Sequence, residues 1–586
     1  MWWTRLGLVV CCAWPVATLA QPAPVRPSSE IIPPQRNPVD LAAPPAAPRL
    51  APRIEGPEPV RQTGPGAAAQ IHIGQVRVTG NDAVPAPQLA GALAGLADAT
   101  VPLARIEEAR LGILRVYRDS GYPFAAVNAG VTRRPGTDLA DLNFVVTEGF
   151  IAEVKLEGDP DNIGPAGTQV LRFLNRLIGQ RPVTGAAIER ALLLASDVPG
   201  MTVRGTLRPL QSEPGALQLV AQVERKAVSG YVNVDNRGYQ LVGPWQGLFV
   251  AGVNSLTSFG ERTELSLFGA PNSTQWFTQG SIESFIGGSG LRVRLYAGTG
   301  QTRPSGSLRA IGYYGETQVG GISLSYPIIR SRPLNLYAVG AFDIFDSEVE
   351  TGTSGRSRAS RDAIRTFRAG FDGQLLEAWL PVLPAATTYG SIRLHQGVTG
   401  LGATRNGYPL SGRSGAEDFG FQKISGEIQR NQPLFAPYDG AMISVQALFA
   451  GQWSNDILPQ AEKFYLGGNR LGRGYYAGQV TGDSAWGLAV ELQFDTSFEL
   501  PFQPALGSNR FAPQLYVFRD IARAVQNRPD DANQRLSSWG GGVRLLISDA
   551  VQFDLEGVRR EVRRPDGLAA DPLKEASLIF RMLVRF

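Results

Sequence analysis

Residues 578–586 form the stretch Leu-Ile-Phe-Arg-Met-Leu-Val-Arg-Phe, and the sequence stops on Phe586. Apolar side chains occupy every second position of this stretch, at Leu578, Phe580, Met582, Val584 and Phe586. A period of two predicts a β-strand with one apolar face. Transmembrane barrels commonly end on such a strand with an aromatic residue. We therefore expect Met582, Val584 and Phe586 to form a C-terminal assembly signal.

The same alternation extends through residues 227–586. In residues 334–344, for example, apolar residues alternate with Asn335, Tyr337 and Asp343. Either a soluble β-sandwich with its apolar face inward or a transmembrane barrel with its apolar face outward gives this pattern. The last strand favours the barrel. At about 22 residues per strand and connection, the segment predicts a transmembrane β-barrel of about 16 antiparallel strands.

Polar and proline-containing stretches mark connections in this predicted barrel. The polar residues 346–361 and 526–534 are expected to be extracellular loops. The short Arg-Ser-Arg-Pro segment at residues 330–333 is expected to be a periplasmic turn.

An internal repeat precedes the barrel. Residues 73–81 resemble residues 151–159, at an offset of 78 residues. Each copy predicts a strand, two helices and two further strands, and residues 103–120 have an apolar period close to that of a helix. The order βααββ, twice, predicts two small α/β modules over residues 71–150 and 151–226.

The first 70 residues have a different composition. A lone basic residue, an apolar run and small residues before position 20 predict a secretory signal peptide over residues 1–20. Both cysteines, Cys11 and Cys12, lie within it, so the mature chain would contain none. Residues 21–70 include 13 Pro and predict a flexible tail. The whole-chain net charge of +4 is too small and too dispersed to indicate nucleic-acid binding.

Residues 464–475 form an unusual loop, Phe-Tyr-Leu-Gly-Gly-Asn-Arg-Leu-Gly-Arg-Gly-Tyr. Surface loops are normally polar, whereas this one is rich in Gly and in apolar and aromatic residues. Glycine lets the backbone turn tightly and approach other backbone. We therefore expect the loop to insert into the barrel lumen, where Arg473 would need a carboxylate partner. An ordinary glycine-rich hairpin is the alternative.

This loop resembles the sixth-loop motif of the barrel-assembly and two-partner-secretion superfamily, through Gly467, Gly468, Arg473, Gly474 and Tyr475. Two βααββ modules before one barrel resemble two POTRA domains. In its number of modules the chain resembles the two-partner-secretion transporters (TpsB proteins, haemolysin secretion/activation type). Barrel-assembly proteins usually carry more modules.

Further residues carry the resemblance to the TpsB transporters. The segment Val-Asp-Asn-Arg-Gly at residues 234–238 resembles their first-strand motif, through Asp235, Asn236 and Gly238. Residues 325–330 resemble their early periplasmic-turn pattern. Before the two glycines, Leu458, Glu462 and Phe464 stand where the family has them.

The resemblance also implies a partner for the loop arginine. In the superfamily this partner is an acidic residue in an aromatic-x-Asp-x-Gly pattern on a nearby strand. Residues 518–522 match best, which makes Asp520 the candidate, although Ala522 replaces the glycine. A solvated lumen carboxylate is the alternative for Asp520. Relatives often place an N-terminal plug helix in the pore, but residues 21–70 show no clear one.

Enzymatic functions find little support. His72 and His395 are the two histidines, and neither stands in a recognisable Ser/His/Asp arrangement. We therefore predict no catalytic residue, no enzyme activity, no cofactor and no Cys/His metal site. None of the five Lys follows a Gly, so a Walker A motif for nucleotide-driven transport is lacking.

The resemblance implies a pore in the outer membrane of a Gram-negative cell with its POTRA modules in the periplasm. Its partners would be an unfolded exoprotein with an N-terminal secretion domain (TpsA type), the barrel-assembly machinery and outer-membrane lipids, without nucleic acid. An exposed strand edge, at residues 124–131 or 202–208, could capture the exoprotein by strand addition. The alternatives are a factor that inserts other barrels, a diffusion porin and a barrel hydrolase.

Overall fold

The computed structural model describes residues 69–159, 163–239, 241–378, 382–503, 508–565 and 572–586. The predicted signal peptide, both cysteines, the tail up to residue 68 and any plug helix within it lie outside the described residues. Within the described ranges, no helix is long and apolar enough to cross a membrane.

The first module is a four-stranded sheet covered by two helices, and Ile73, Tyr117 and Phe144 are fully buried between these layers. The sheet order is β2-β1-β4-β3, with β1 parallel to β4 and antiparallel to β2. The predicted order βααββ lacks β2, because four residues are too few to display a period of two in the sequence. The elements are β1 (Gln70–Thr79), α1 (Ala86–Leu93), β2 (Ala99–Pro102), α2 (Leu103–Asp119), β3 (Ala126–Arg133) and β4 (Leu139–Thr147).

The second module is a three-stranded sheet in the order β5-β7-β6, and it has the predicted βααββ succession. Val170, Phe173 and Leu219 lie in the core between sheet and helices. Both stretches expected to offer a free strand edge belong to edge strands, β3 and β6. The elements are β5 (Phe150–Glu157), α3 (Gly167–Leu174), α4 (Gly185–Ser196), β6 (Met201–Pro209) and β7 (Ala216–Arg225).

Sixteen antiparallel strands close into a barrel, which confirms the predicted fold class. The two-residue strand β22 (Phe498–Glu499) pairs with β23 at one end of the barrel. The strands are β8 (Val228–Asp235), β9 (Gln246–Asn254), β10 (Arg262–Gly269), β11 (Gln275–Ile286), β12 (Leu291–Thr302), β13 (Tyr314–Arg330), β14 (Leu334–Thr351), β15 (Ser357–Glu377), β16 (Ala386–Gly397), β17 (Gln422–Phe435), β18 (Ala441–Trp453), β21 (Ser484–Thr496), β23 (Arg510–Val525), β24 (Gln534–Ile547), β25 (Val551–Arg560) and β26 (Ala576–Arg585).

The barrel wall is apolar outside and polar inside. On β14 the outward Leu334 and Ile344 are exposed, whereas the inward Asn335 and Asp343 are buried. On β16 the outward Leu394 is 63% exposed. This arrangement is the reverse of a soluble sandwich and is the one that lipid requires.

The last strand closes the barrel against the first one. Strands β26 and β8 are antiparallel neighbours, and the backbones of Phe586 and Gly230 exchange two hydrogen bonds of 3.0 Å. The Phe586 ring stacks on Phe249 at 6.3 Å between ring centroids. Leu578, Phe580, Met582 and Val584 alternate with the buried Ile579 and Leu583, so the apolar face of this strand points outward.

The second module packs against one end of the barrel, called here the module end. Arg330 forms a two-pronged ion pair with Asp197, with N–O distances of 2.8 and 2.9 Å. The predicted turn at residues 330–333 therefore contacts this module. Phe173 packs edge-to-face on Phe285 of β11. The opposite end is called the loop end.

One sequence expectation about the connections needs correction. Residues 346–361 are largely strand, because β14 reaches Thr351 and β15 starts at Ser357. Their polar side chains reflect a hairpin that continues past the apolar part of the wall. By contrast, residues 526–533 do form a connection, between β23 and β24.

Candidate functional site

The glycine-rich loop singled out in the sequence lies in the long connection between β18 and β21, at residues 454–483. It is the sixth connection at the loop end, and it includes the short hairpin of β19 (Phe464–Leu466) and β20 (Val480–Gly482). From this hairpin the segment 467–479, called here the loop tip, packs on inward-facing residues of the barrel. Leu471 and Tyr475 share an apolar cluster with Ala489 of β21 and Leu536 of β24.

Glycines let the loop tip fold and approach the wall. Gly467 and Gly468 have φ angles of 99° and 97°, where a side chain would be strained. Their N–H groups donate to the carbonyls of Leu471 and Tyr475, at 2.8 and 2.9 Å. A Cβ on Gly474 would come within 2.7 Å of Val558, so this backbone lies directly on the wall.

Arg473 and Asp520 are in direct contact, which is the pairing that the resemblance implied. Arg473 donates to the two carboxylate oxygens of Asp520 through Nη2 at 2.9 Å and Nε at 3.1 Å. Its backbone N–H adds a third hydrogen bond of 2.7 Å. Asp520 is fully buried, and the Phe518 ring lies 3.9 Å from the Arg473 guanidinium carbon. Ala522, at the place of the expected glycine, is a small residue beneath the loop.

A second carboxylate, missed in the sequence, also binds Arg473. Glu491 of β21 pairs with Nη1 of Arg473, and it also accepts a hydrogen bond from Arg544 of β24 at 2.5 Å. Glu491 occupies an inward position of β21 next to small residues. The alternation of β21 could have shown that this charge faces the lumen, but the alternation does not reveal which arginine it meets.

The first-strand motif is also part of this site. Strand β8 ends at Asp235, so Asn236 and Gly238 follow the strand rather than lie within it. Asp235 accepts hydrogen bonds from the backbone N–H of Arg237 and from Gln246, both at 2.9 Å. Asn236 accepts from the N–H of Phe580 at 2.8 Å and so continues the pairing between β8 and β26. A Cβ on Gly238 would lie 2.8 Å from the carbonyl oxygen of Gly243, so a larger residue would not fit here without a shift of the backbone.

Arg237 lies within that motif, although the sequence indicated no role for it. It links the motif to the loop tip. It donates to the carbonyl of Arg473 at 2.6 Å and to that of Gly468 at 3.2 Å. The Nη2 atom of Arg237 pairs with Glu556 of β25 at 2.8 Å. The tip is therefore held by β21, by β23 and by the connection after β8, where Arg237 is itself bound to β25.

Tyr475 closes the tip against the wall. Its hydroxyl lies 2.7 Å from the carbonyl oxygen of Ser537 and 2.9 Å from that of Val562. The ring is buried. Arg560 donates to the carbonyl of Gly474, so the backbone beside Tyr475 is held as well.

The base of the loop has its own anchor on a different part of the wall. Glu462 pairs with Lys423 of β17 at 2.7 Å and with Arg368 of β15 at 3.1 Å. His395, predicted to face the lumen, lies beside this group and contacts Ser425 at 2.8 Å. The loop connects β18 to β21. Its charged residues therefore bind strands that precede this pair, β15 and β17, and a strand that follows it, β23.

Neighbouring loops cover the same region. Arg413, in the connection after β16, pairs with Asp483 at 2.6 Å and with Asp531 at 2.7 Å. These two carboxylates belong to the sixth loop and to the loop after β23. Three connections at the loop end are therefore joined through one buried arginine.

Comparisons with known proteins agree with this architecture. The family described as "Haemolysin secretion/activation protein ShlB/FhaC/HecB" matches residues 374–545, and the POTRA family, "Surface antigen variable number repeat", matches residues 71–149. The heme/hemopexin transporter protein HuxB of Haemophilus influenzae (strain 86-028NP) is 22% identical over 491 residues, which cover 82% of this chain and 81% of HuxB.

By these matches the chain is similar to two-partner secretion transporters. Solved structures share its fold. CdiB from Escherichia coli superposes with a TM-score of 0.68 at 16% identity, covering 92% of this chain and 94% of CdiB. CdiB from Acinetobacter baumannii gives 0.59 at 16% identity, covering 92% and 95%.

Proposed function

We propose that this chain captures an unfolded exoprotein through its two modules and secretes it through the barrel. The observation that carries the proposal is one continuous architecture. Two modules with free strand edges precede a closed barrel, and a loop with charged anchors lies in the lumen of that barrel. The proposal places the barrel in the outer membrane of a Gram-negative cell and the modules in the periplasm.

Capture would use the edge strands β3 and β6. Among the described residues each has a neighbour on one side only, so its other side offers backbone N–H and C=O groups to an extended segment. Most side chains of β3 are exposed, as are Thr202, Arg204 and Thr206 of β6. Backbone pairing is tolerant of sequence, which suits an unfolded client.

Passage would use the polar lumen. Arg292 and Arg294 of β12 face inward, where Arg292 lies 3.5 Å from Glu283. Such paired charges give an extended polypeptide few apolar surfaces to adhere to. Without a nucleotide motif, the free energy would come from folding of the exoprotein outside the cell. The chain would act as a pore and not as an enzyme, and would need no cofactor.

Site-specific crosslinking tests the capture step, because the predicted mature chain has no cysteine. Thr132→Cys on β3 and Thr206→Cys on β6 place a reactive thiol on each edge. The matched control is Glu108→Cys, since Glu108 is 74% exposed on helix α2 and not on a strand. A thiol crosslinker should join the exoprotein encoded beside this gene to one or both edge variants. Equal crosslinking of the control would contradict edge capture.

The second candidate is a factor that inserts other barrels into the outer membrane, and the barrel-plus-module architecture is the observation that favours it. Depletion of the chain separates the two functions. Loss of one exoprotein from the medium supports secretion, whereas loss of many barrels from the membrane supports insertion. A diffusion porin would explain the barrel but neither the modules nor the Arg473 anchor.

A further inference from the structure

The outer wall of the barrel has an apolar notch on strands β24 to β26. Gly541 and Gly557 face each other across β24 and β25, and their row continues to Val517 on β23 and Leu578 on β26. Val517 and Leu578 are 58% and 63% exposed. Two glycines therefore lie between two projecting apolar side chains. They form the floor of an open depression of about 510 Å³ that Trp539 and Leu578 border.

The barrel itself does not require a glycine at position 557. A Cβ built on Gly557 would meet only the carbonyl oxygen of Gly541, at an ordinary contact distance of 3.9 Å. Glycine within a strand lowers its stability relative to a β-branched residue, and it often marks a place where another molecule approaches. The small residue thus keeps space open outside the wall.

Arginines border the notch towards the loop end. In the next outward row, Arg519, Trp539 and Arg559 are direct neighbours on β23, β24 and β25. Arg519 and Arg559 pair with the exposed Glu561 and Glu575. Exposed charged pairs of this kind are weak and can exchange partners.

Four residues further along the strands lie two arginines without partners. Arg523 and Arg535 face each other directly across β23 and β24, and both are exposed. Neither side chain forms a hydrogen bond or an ion pair with any residue in the described ranges. Like charges directly opposite each other destabilise a strand pair. Guanidinium groups side by side suit phosphate, which they bind with two parallel hydrogen bonds.

We propose that this surface binds a phosphorylated glycolipid of the outer leaflet. One acyl chain lies in the notch between Val517 and Leu578, and the phosphates lie on the arginines. The two arginine rows are about 13 Å apart along the strands, so a headgroup with more than one phosphate can contact both. A zwitterionic phospholipid would bring an ammonium group that the arginines repel. The assignment uses the proposed membrane orientation but not the secretion activity.

Native mass spectrometry of the full chain in detergent tests the site, with synthetic bisphosphorylated lipid A as the probe. Two changes target its two parts: the double variant Arg523→Ala/Arg535→Ala, and Gly557→Val, with Gly557→Ala as a milder step if the valine prevents folding. The matched controls are Arg309→Ala, an exposed arginine before β13, and Gly280→Val, an outward glycine of β11 with nothing within 4 Å of its Cβ position.

Each test variant should weaken lipid A binding by about tenfold, as loss of a charge-assisted contact would, while the controls keep wild-type affinity. Phosphatidylethanolamine should bind weakly and equally to all forms. Unchanged binding in the arginine variant would overturn the proposal. So would complete displacement of lipid A by equimolar inorganic phosphate, or unchanged binding in both glycine variants, because these outcomes would describe an anion site without a lipid. Secretion assays on the same variants are independent of these outcomes.

Discussion

The two anchors of the sixth loop are built differently, although both are buried charge clusters in the lumen. At the tip, Arg473 meets two carboxylates, Asp520 and Glu491, and its backbone also binds Asp520 and Arg237. At the base, Glu462 meets two cations that each keep other partners. The tip anchor therefore depends on one side chain, whereas the base anchor shares its contacts among several groups.

This difference indicates where the loop can be released. A translocating chain needs space in the lumen, and the loop tip occupies part of it. Because both buried ion pairs of the tip pass through Arg473, a change at this residue should loosen the tip more than the loss of any single hydrogen bond from Arg237 or Tyr475. At the base, loss of one contact leaves others in place, so the base would act as the hinge about which the tip moves.

Arg473→Ala should have the largest effect. It leaves Asp520 buried without its cation, whereas Glu491 still pairs with Arg544. Breaking a buried pair costs about 3–5 kcal/mol. Hydrogen exchange of residues 464–482, followed by mass spectrometry, should accelerate by about a hundredfold or more. Secretion of the exoprotein should fall while the barrel stays in the membrane.

The conservative control is Arg473→Lys, which retains the charge but not the planar fork. It should retain part of the protection. Wild-type exchange and wild-type secretion in Arg473→Ala would both count against the tip anchor.

Glu462→Gln should destabilise the closed loop less than Arg473→Ala does, because the cations at the base keep other partners. Lys423 still donates to the backbone carbonyl of residue 462 at 2.6 Å and to Gln452 at 3.1 Å. Arg368 keeps its ion pair with Asp343 at 2.8 Å. The loss should be about 1–3 kcal/mol. Exchange at residues 460–466 measures it, and a loss equal to that of Arg473→Ala would remove the asymmetry between the anchors.

Much of this architecture follows from local sequence patterns. The period of two over residues 578–586 predicts the outward face of the last strand, and the glycine-rich loop predicts a segment packed against the wall. Asp520 could be proposed because its neighbours form a recognisable motif. These features share one property: the information lies within about ten consecutive residues.

The rest depends on contacts between distant strands. Alternation shows that Glu491 faces inward, but only the closed barrel brings it to Arg473, Arg544 and the loop together. Arg237 was overlooked because its partners are a carboxylate and two carbonyls more than 200 positions away. The strand β2 was missed because four residues carry no period.

Tyr475→Phe should have a smaller effect than either charge variant. The ring keeps its buried apolar contacts. The lost contacts are those of the hydroxyl, which donates towards the carbonyls of Ser537 and Val562 and accepts a long hydrogen bond of 3.3 Å from the Ser537 N–H. A single neutral hydrogen bond contributes about 0.5–1.5 kcal/mol. Exchange of the loop tip should rise by no more than about tenfold. A change as large as that of Arg473→Ala would show that the tyrosine, and not the arginine, holds the tip.

The smallest expected quantity is the coupling between the two anchors, measured with the double variant Arg473→Ala/Glu462→Gln. Their side chains share no partner, since one binds β21 and β23 and the other β15 and β17. If both stabilise the same closed loop, their free-energy losses should add within about 0.5 kcal/mol. A coupling well above this value would mean that release of the tip already releases the base. The base could then not serve as a hinge, and the whole loop would leave the lumen as one unit.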